Sequence, residues 1–110
     1  MSEGFEQRSG HNEAMFRDVN ERIEAGVWPG DGAGPIAFRC ECSTLGCNAM
    51  VALTISEYER VRAAARRFVL VPGHEMAGIE VVVQREPTYV VVEKLGVAGR
   101  IAERSDPRQD

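Results

Sequence analysis

All three cysteines of this chain fall within eight residues, Cys40-Glu41-Cys42-Ser43-Thr44-Leu45-Gly46-Cys47. A cluster this tight obliges the backbone to turn around it. It also suits a soft, thiolate-binding metal, because neighbouring sulfurs reduce the entropy lost on closing a site. An odd number of thiols cannot pair completely within one chain. The N-terminus, MSEGFEQRSG, is polar and acidic and does not read as an export signal. The cysteines are therefore expected to be reduced, cytoplasmic and available to metal.

Tetrahedral zinc needs four ligands, and the cluster supplies three. His74 is the best fourth: it follows a Pro72-Gly73 turn that can aim its ring inward, completing a Cys3His set from Cys40, Cys42, Cys47 and His74. On a flat strand, the two thiols of a C-x-C pair share a side but lie too far apart for one ion. The strand must therefore bend at Glu41. His11 is an alternative fourth ligand in a segment expected to be floppy. Glu41 and Glu75 are carboxylate alternatives, which sulfur-rich sites use less often. An iron–sulfur cluster fits less well, since it usually takes four thiols. His74-Glu75 begins an H-E-x-x-H motif but no second histidine follows, and no nucleophilic triad can be assembled.

The surrounding pattern predicts an α+β fold: a small antiparallel sheet with N-terminal and central helices and a zinc-stabilised hairpin. Residues 1–11 are polar and expected to be disordered. Asn12 can cap a helix over residues 12–26, with Met15, Phe16, Val19 and Ile23 on one apolar stripe and Arg17, Asp18, Glu21, Arg22 and Glu24 on the wet face. Residues 27–35 form a Gly/Pro loop, with Trp28 pinning it to the domain. Gly30 to Gly34 lacks the flanking strand, helix and Lys-Ser/Thr ending of a phosphate loop.

The zinc-binding domain is expected over residues 36–104. Residues 36–40 and 50–55 read as strands, and residues 42–47 as the turn between them. A capping box at Thr54 or Ser56 opens a helix running to Arg67. Residues 68–71 are extended. Residues 79–84 and 89–93 are rich in β-branched residues and form a hairpin, and Leu95, Val97 and Ile101 support a last short helix. Residues 105–110 should fray.

These same segments resemble a family of small actinobacterial proteins. The likeness runs through the N-E-A-x-F-R-x-x-N-E-R-I helix from Asn12 to Ile23, the C-x-C-x4-C cluster, Glu57 to Arg62, the P-G-H-E turn at Pro72 to Glu75, Val91 to Lys94 and Asp106 to Arg108. It implies a compact cytoplasmic protein with a metal site at Cys40, Cys42, Cys47 and His74, and no catalytic residue.

With 110 residues, 44% of them hydrophobic, the chain is one domain with a modest core. No apolar run is long enough to span a membrane. The formal net charge of −4 argues against attraction to nucleic acid. The expected function is that of a non-enzymatic, zinc-binding, regulatory protein acting through a protein partner or a second copy of itself. Phe16, Val19 and Ile23, with Arg60, Arg66 and Arg67, are the candidate contact residues. A thiol redox-responsive regulator is the first alternative. A nucleic-acid-binding zinc module using the Arg-rich helix, which also carries Arg62, is the second.

Overall fold

Alternation of apolar and polar residues produces strands where the pattern predicts them. A computed structural model describes residues 3–26, 34–42, 44 and 47–108, with the side chains of the first helix described from Ala14 onward. The elements are α1 (Glu3–Ala25), β1 (Ile36–Arg39), β2 (Met50–Leu53), α2 (Ile55–Arg62), β3 (Arg67–Leu70), β4 (Glu80–Arg85), β5 (Val90–Lys94) and α3 (Gly96–Arg104). This is an α+β architecture with two small antiparallel sheets rather than one. β1 pairs with β2, and the second sheet has the order β3-β5-β4.

β5 is the central strand of the second sheet, and both its faces are covered. Val69 and Val91 turn to one side, where they meet Phe38, Val51, Leu53, Tyr58 and Val61. Phe68, Leu70, Val90 and Val92 turn to the other, where they meet Cys40, Cys42 and Ala102. Two buried faces explain why RFVL and VVVEK read as nearly continuous apolar runs. Burial of each such side chain stabilises by about 1.5–3 kcal/mol.

The helices depart from expectation in instructive ways. α1 begins at Glu3, well before the Asn12 cap that the sequence suggests, so the N-terminal segment is helical rather than disordered over residues 3–11. Once nucleated, a helix extends at little cost, and Glu3, Glu6, Gln7 and Arg8 favour extension enough to carry Gly4 and Gly10. α1 packs against β1 and α3, not against the β4 sheet edge. Its buried face includes Phe16, at 3% exposure, but also Arg17 from the expected wet face, and Asn20. Val19 and Ile23 are half-buried, and Ile23 packs on the core.

α2 opens on Thr54, whose hydroxyl accepts from Glu57 N–H at 3.0 Å while Glu57 accepts from Thr54 N–H at 2.8 Å. Thr54 rather than Ser56 is thus the capping residue. The helix stops at Arg62, short of Arg67, and residues 63–66 form a turn that feeds β3. α3 crosses its sheet closely: a Cβ at Gly99 would lie 2.9 Å from the Lys94 carbonyl oxygen, so glycine is required there. The loop over residues 27–33, including Trp28, and Gly46 in the cysteine turn lie outside the described residues.

Buried charge ties the elements together. Arg17 donates to the Ala65 and Ala102 carbonyls, both at 2.8 Å, and stacks over Phe68. Arg62 is buried between Glu21 at 2.6 Å and Asp106 at 2.5 Å. Arg108 reaches Glu21, Glu24 and Glu59. Residues 105–108 are therefore anchored rather than frayed: a buried guanidinium needs a carboxylate, and Asp106 supplies it.

Two stability predictions follow from these pairs. Lys94 and Glu80 form a 2.8 Å ion pair that is almost wholly buried, and Glu80 also accepts from Met76 N–H. Lys94→Met should destabilise by about 3–5 kcal/mol, because it strands a buried carboxylate. Adding Glu80→Gln, which is neutral and keeps an acceptor for Met76, should restore much of this in urea denaturation. The second concerns acid. Burial pushes Asp106 upward, but hydrogen bonds from Arg108 N–H and Arg62 outweigh it and hold the carboxyl below its usual value. Such a group stabilises above its unfolded pKa and loses that contribution as pH falls through the lower folded value. The urea midpoint should drop below about pH 4, and Asp106→Asn should flatten that drop while weakening the fold at neutral pH.

Candidate metal centre

The cysteine cluster sits where the chain leaves one sheet for the other. Cys40 N–H still pairs toward β2, donating to the Ala49 carbonyl at 3.0 Å. One residue later, Glu41 N–H donates to the Val69 carbonyl of β3 at 2.8 Å. This switch of partner is the bend that the C-x-C spacing requires. It turns the Cys40 and Cys42 sulfurs toward one point beside the edge of the second sheet.

Glu41 holds the bend from below. Its carboxylate is fully buried and accepts from Asn20 Nδ2 at 2.8 Å, Tyr58 OH at 2.9 Å and Val69 N–H at 3.0 Å. Burial pushes its pKa up, and these three donors together with Arg17 pull back against it. Tyr58 is fixed in turn by stacking on Phe38, with ring centroids 4.3 Å apart. Asn20 also brackets Arg39, accepting from its N–H at 2.6 Å and donating to its carbonyl at 2.8 Å. The Asn20 side chain thereby acts as a strand partner for β1. Arg39 stacks over Phe16 and donates to the Cys47 carbonyl at 2.7 Å, which fixes the far end of the cysteine turn.

His74 comes from the connection between β3 and β4. Its N–H bonds the Val71 carbonyl at 3.0 Å, and Gly73 sits at φ +94°, which only glycine adopts easily. This is the pattern of a type II turn with Pro72 and Gly73 at its corners. Glu75 accepts from Gly73 N–H at 2.8 Å and braces the turn.

The four predicted ligand atoms converge: those of Cys40, Cys42, Cys47 and His74 all lie within 4.8 Å of one another. His74 Nδ1 is 3.6 Å from Cys40 Sγ and 3.7 Å from Cys47 Sγ. Nitrogen and sulfur ligands of one tetrahedral ion, at 2.0–2.1 and 2.3 Å from it, stand about 3.5 Å apart. The observed separations match that spacing, so the group can hold a metal ion. Neither carboxylate alternative belongs to it, since Glu41 faces the core and Glu75 serves its turn. The His11 side chain lies outside the described residues. Burial pushes the Cys40 thiol up to about 12 and raises Cys42 as well, each sensing the other's charge or another thiol's. A bound cation reverses that penalty, because it favours the thiolate directly.

Comparison with known protein families, curated proteins and solved structures finds no match. Function must therefore be read from this site and from the surface around it.

The arginines of the central segment do not form a free basic face. Arg62 is buried in its ion pairs, Arg66 meets Glu103 at 3.1 Å and Arg67 meets Glu93 at 3.2 Å, leaving Arg60 exposed. Phe16 is buried and Ile23 packs on the core, while Val19 is half-buried. The roles of Asn20, Arg39 and Glu41 were hidden in the sequence. The one available signal was Glu41 itself, an acidic residue between two cysteines that had to be buried if both sulfurs turned the same way.

Glu41→Ala removes the acceptor for three donors at the bend. It should destabilise the fold by about 2–3 kcal/mol, as unpaired buried donors do. It should also lower metal affinity in competition with a chelator of known strength. Tyr58→Phe, which leaves two of the three donors engaged, should have a smaller effect on both.

Proposed function

We propose that this chain is a small, non-enzymatic zinc-binding protein that acts through contact with another protein, in a regulatory role. The convergence of Cys40, Cys42, Cys47 and His74 within 4.8 Å carries this reading. Three thiolates favour zinc over hard, oxygen-seeking ions, and one imidazole completes its usual tetrahedral set. A metal with four protein ligands keeps no open position for substrate, which is the hallmark of structural rather than catalytic zinc. Reduced thiols at such a site suit the cytoplasm. No helix among the described residues is long and apolar enough to cross a membrane.

The contact surface is not the α1 stripe, whose Phe16 is buried. The outer strand β4 is a better candidate, because Val81 and Val83 are 46% and 40% exposed on a sheet edge. A nucleic-acid role is disfavoured by the −4 charge and by the carboxylates paired with Arg62, Arg66 and Arg67.

Metal analysis of protein purified without an affinity tag should find one zinc per chain. Ligand at a thousandfold over its dissociation constant stabilises by about 4 kcal/mol, so a strong chelator should lower the melting temperature by about 15 °C or more. Cys42→Ser should melt where the chelated wild type does, and added zinc should not rescue it. Unchanged melting in both cases would refute a folding-coupled metal.

A further inference from the structure

The four donors are unequally protected. Cys40 and Cys42 are buried, Cys47 is half-buried and His74 is exposed, so one side of the site faces solvent. Val71 N–H lies 3.2 Å from Cys40 Sγ, one of the two buried sulfurs. Hydrogen bonds of this kind draw charge from a thiolate and blunt its reactivity. Arg39, by contrast, holds Cys47 through the carbonyl and not the sulfur. Cys47 thus presents the accessible sulfur of the group, and access decides which metal-held cysteine a peroxide reaches first.

We propose that Cys47 is a peroxide-reactive site whose oxidation closes a Cys42–Cys47 disulfide and expels the metal. The proposal rests on the zinc reading above and assigns its regulation. The Cys47 thiolate attacks one oxygen of hydrogen peroxide, the O–O bond breaks, hydroxide leaves and Cys47 becomes a sulfenic acid. The Cys42 thiolate then attacks the sulfenic sulfur, forming the S–S bond and displacing a second hydroxide. The two sulfurs lose two electrons and the peroxide gains them. Only Cys40 and His74 then remain as donors, too few to keep the ion.

Geometry selects Cys42 as the resolving thiol. Its sulfur lies within 4.8 Å of that of Cys47, and both residues fall between β1 and β2, outside the strands, whereas Cys40 Sγ is engaged by Val71 N–H at 3.2 Å. A Cys40–Cys42 disulfide would close a ring across Glu41 alone. Glu41 is held by its N–H to Val69 and by three donors on its carboxylate. Forming that ring would break the hydrogen bonds that join the sheets.

The test treats the zinc-loaded full-length protein with hydrogen peroxide. A chromogenic chelator reports released zinc while mass spectrometry maps the thiols. The expected result is one zinc released per chain, in step with a disulfide mapped to Cys42 and Cys47, both reversed by dithiothreitol. Cys47→His, with its own zinc content measured first, lacks the reactive sulfur and should lose that zinc to peroxide several-fold more slowly than wild type. In zinc-loaded wild type, limited alkylation should label Cys47 before Cys40 or Cys42, which tests the proposal without any variant. A Cys40–Cys42 disulfide, first labelling at a buried thiol, or release from Cys47→His at the wild-type rate would each overturn it. Zinc uptake with no peroxide-driven release refutes the proposal alone, whereas reduced protein that takes up no zinc refutes the metal reading and the proposal with it.

Discussion

The carboxylate of Glu41 is the interaction on which the rest of this structure depends. It lies fully buried just after β1, where the backbone stops pairing toward β2 and pairs with β3, and it gathers donors from α1, α2 and β3. An unpaired carboxylate at that depth would cost several kcal/mol, so the fold must deliver all three donors together. Asn20, Tyr58 and Val69 do so, and each is fixed by contacts of its own. The two cysteines flanking Glu41 are thereby turned to the opposite side. Sheet junction and metal centre are thus two sides of one bend.

The same logic explains why so much charge is buried in so small a protein. Arg17, Glu41, Arg62, Glu80 and Lys94 are all withdrawn from solvent. Each spans elements that apolar contacts alone would leave free to slide. Arg17 links α1 to the turn before β3 and to α3, while Arg62 joins α2 to α1 and to the segment after α3. Buried ion pairs add little net stability but penalise every arrangement that leaves one partner unpaired. In this chain they set how α1 and the two short helices α2 and α3 sit against one another.

The sequence made the ligand set legible because chemistry narrows the choice sharply: three thiols in one turn, and one histidine after a Pro-Gly corner. The strands were legible because β-branched runs bounded by turns have few other uses. Charged residues misled. Arg17 sits at a position that helical periodicity assigns to solvent, and its burial depends on the Ala65 and Ala102 carbonyls, 48 and 85 residues away. The α2 terminus was overrun for a related reason. Ala63 to Arg66 are good helix formers, but the chain must break there to bring Phe68 and Leu70 onto β5. Local propensity yields to such tertiary demands.

Ligand placement also dictates what a metal contributes to folding. Cys40, Cys42 and Cys47 belong to the β1–β2 side, whereas His74 belongs to the connection that follows β3. The Cys40–His74 link spans 34 residues, and the C-x4-C part closes almost no chain. In the chain-entropy treatment of a cross-link, a closure of that span is worth about 3–4 kcal/mol, against about 2 for the local one. The larger share of the metal's stabilising power therefore comes from the bond to His74, which links the β1–β2 side to the connection after β3. Losing that bond leaves the sheets joined by the Glu41 network, the Glu41–Val69 backbone pairing and the apolar contacts of the shared core. Expulsion of the metal should loosen the junction from its solvent side first, while the buried carboxylate network still holds the core in register.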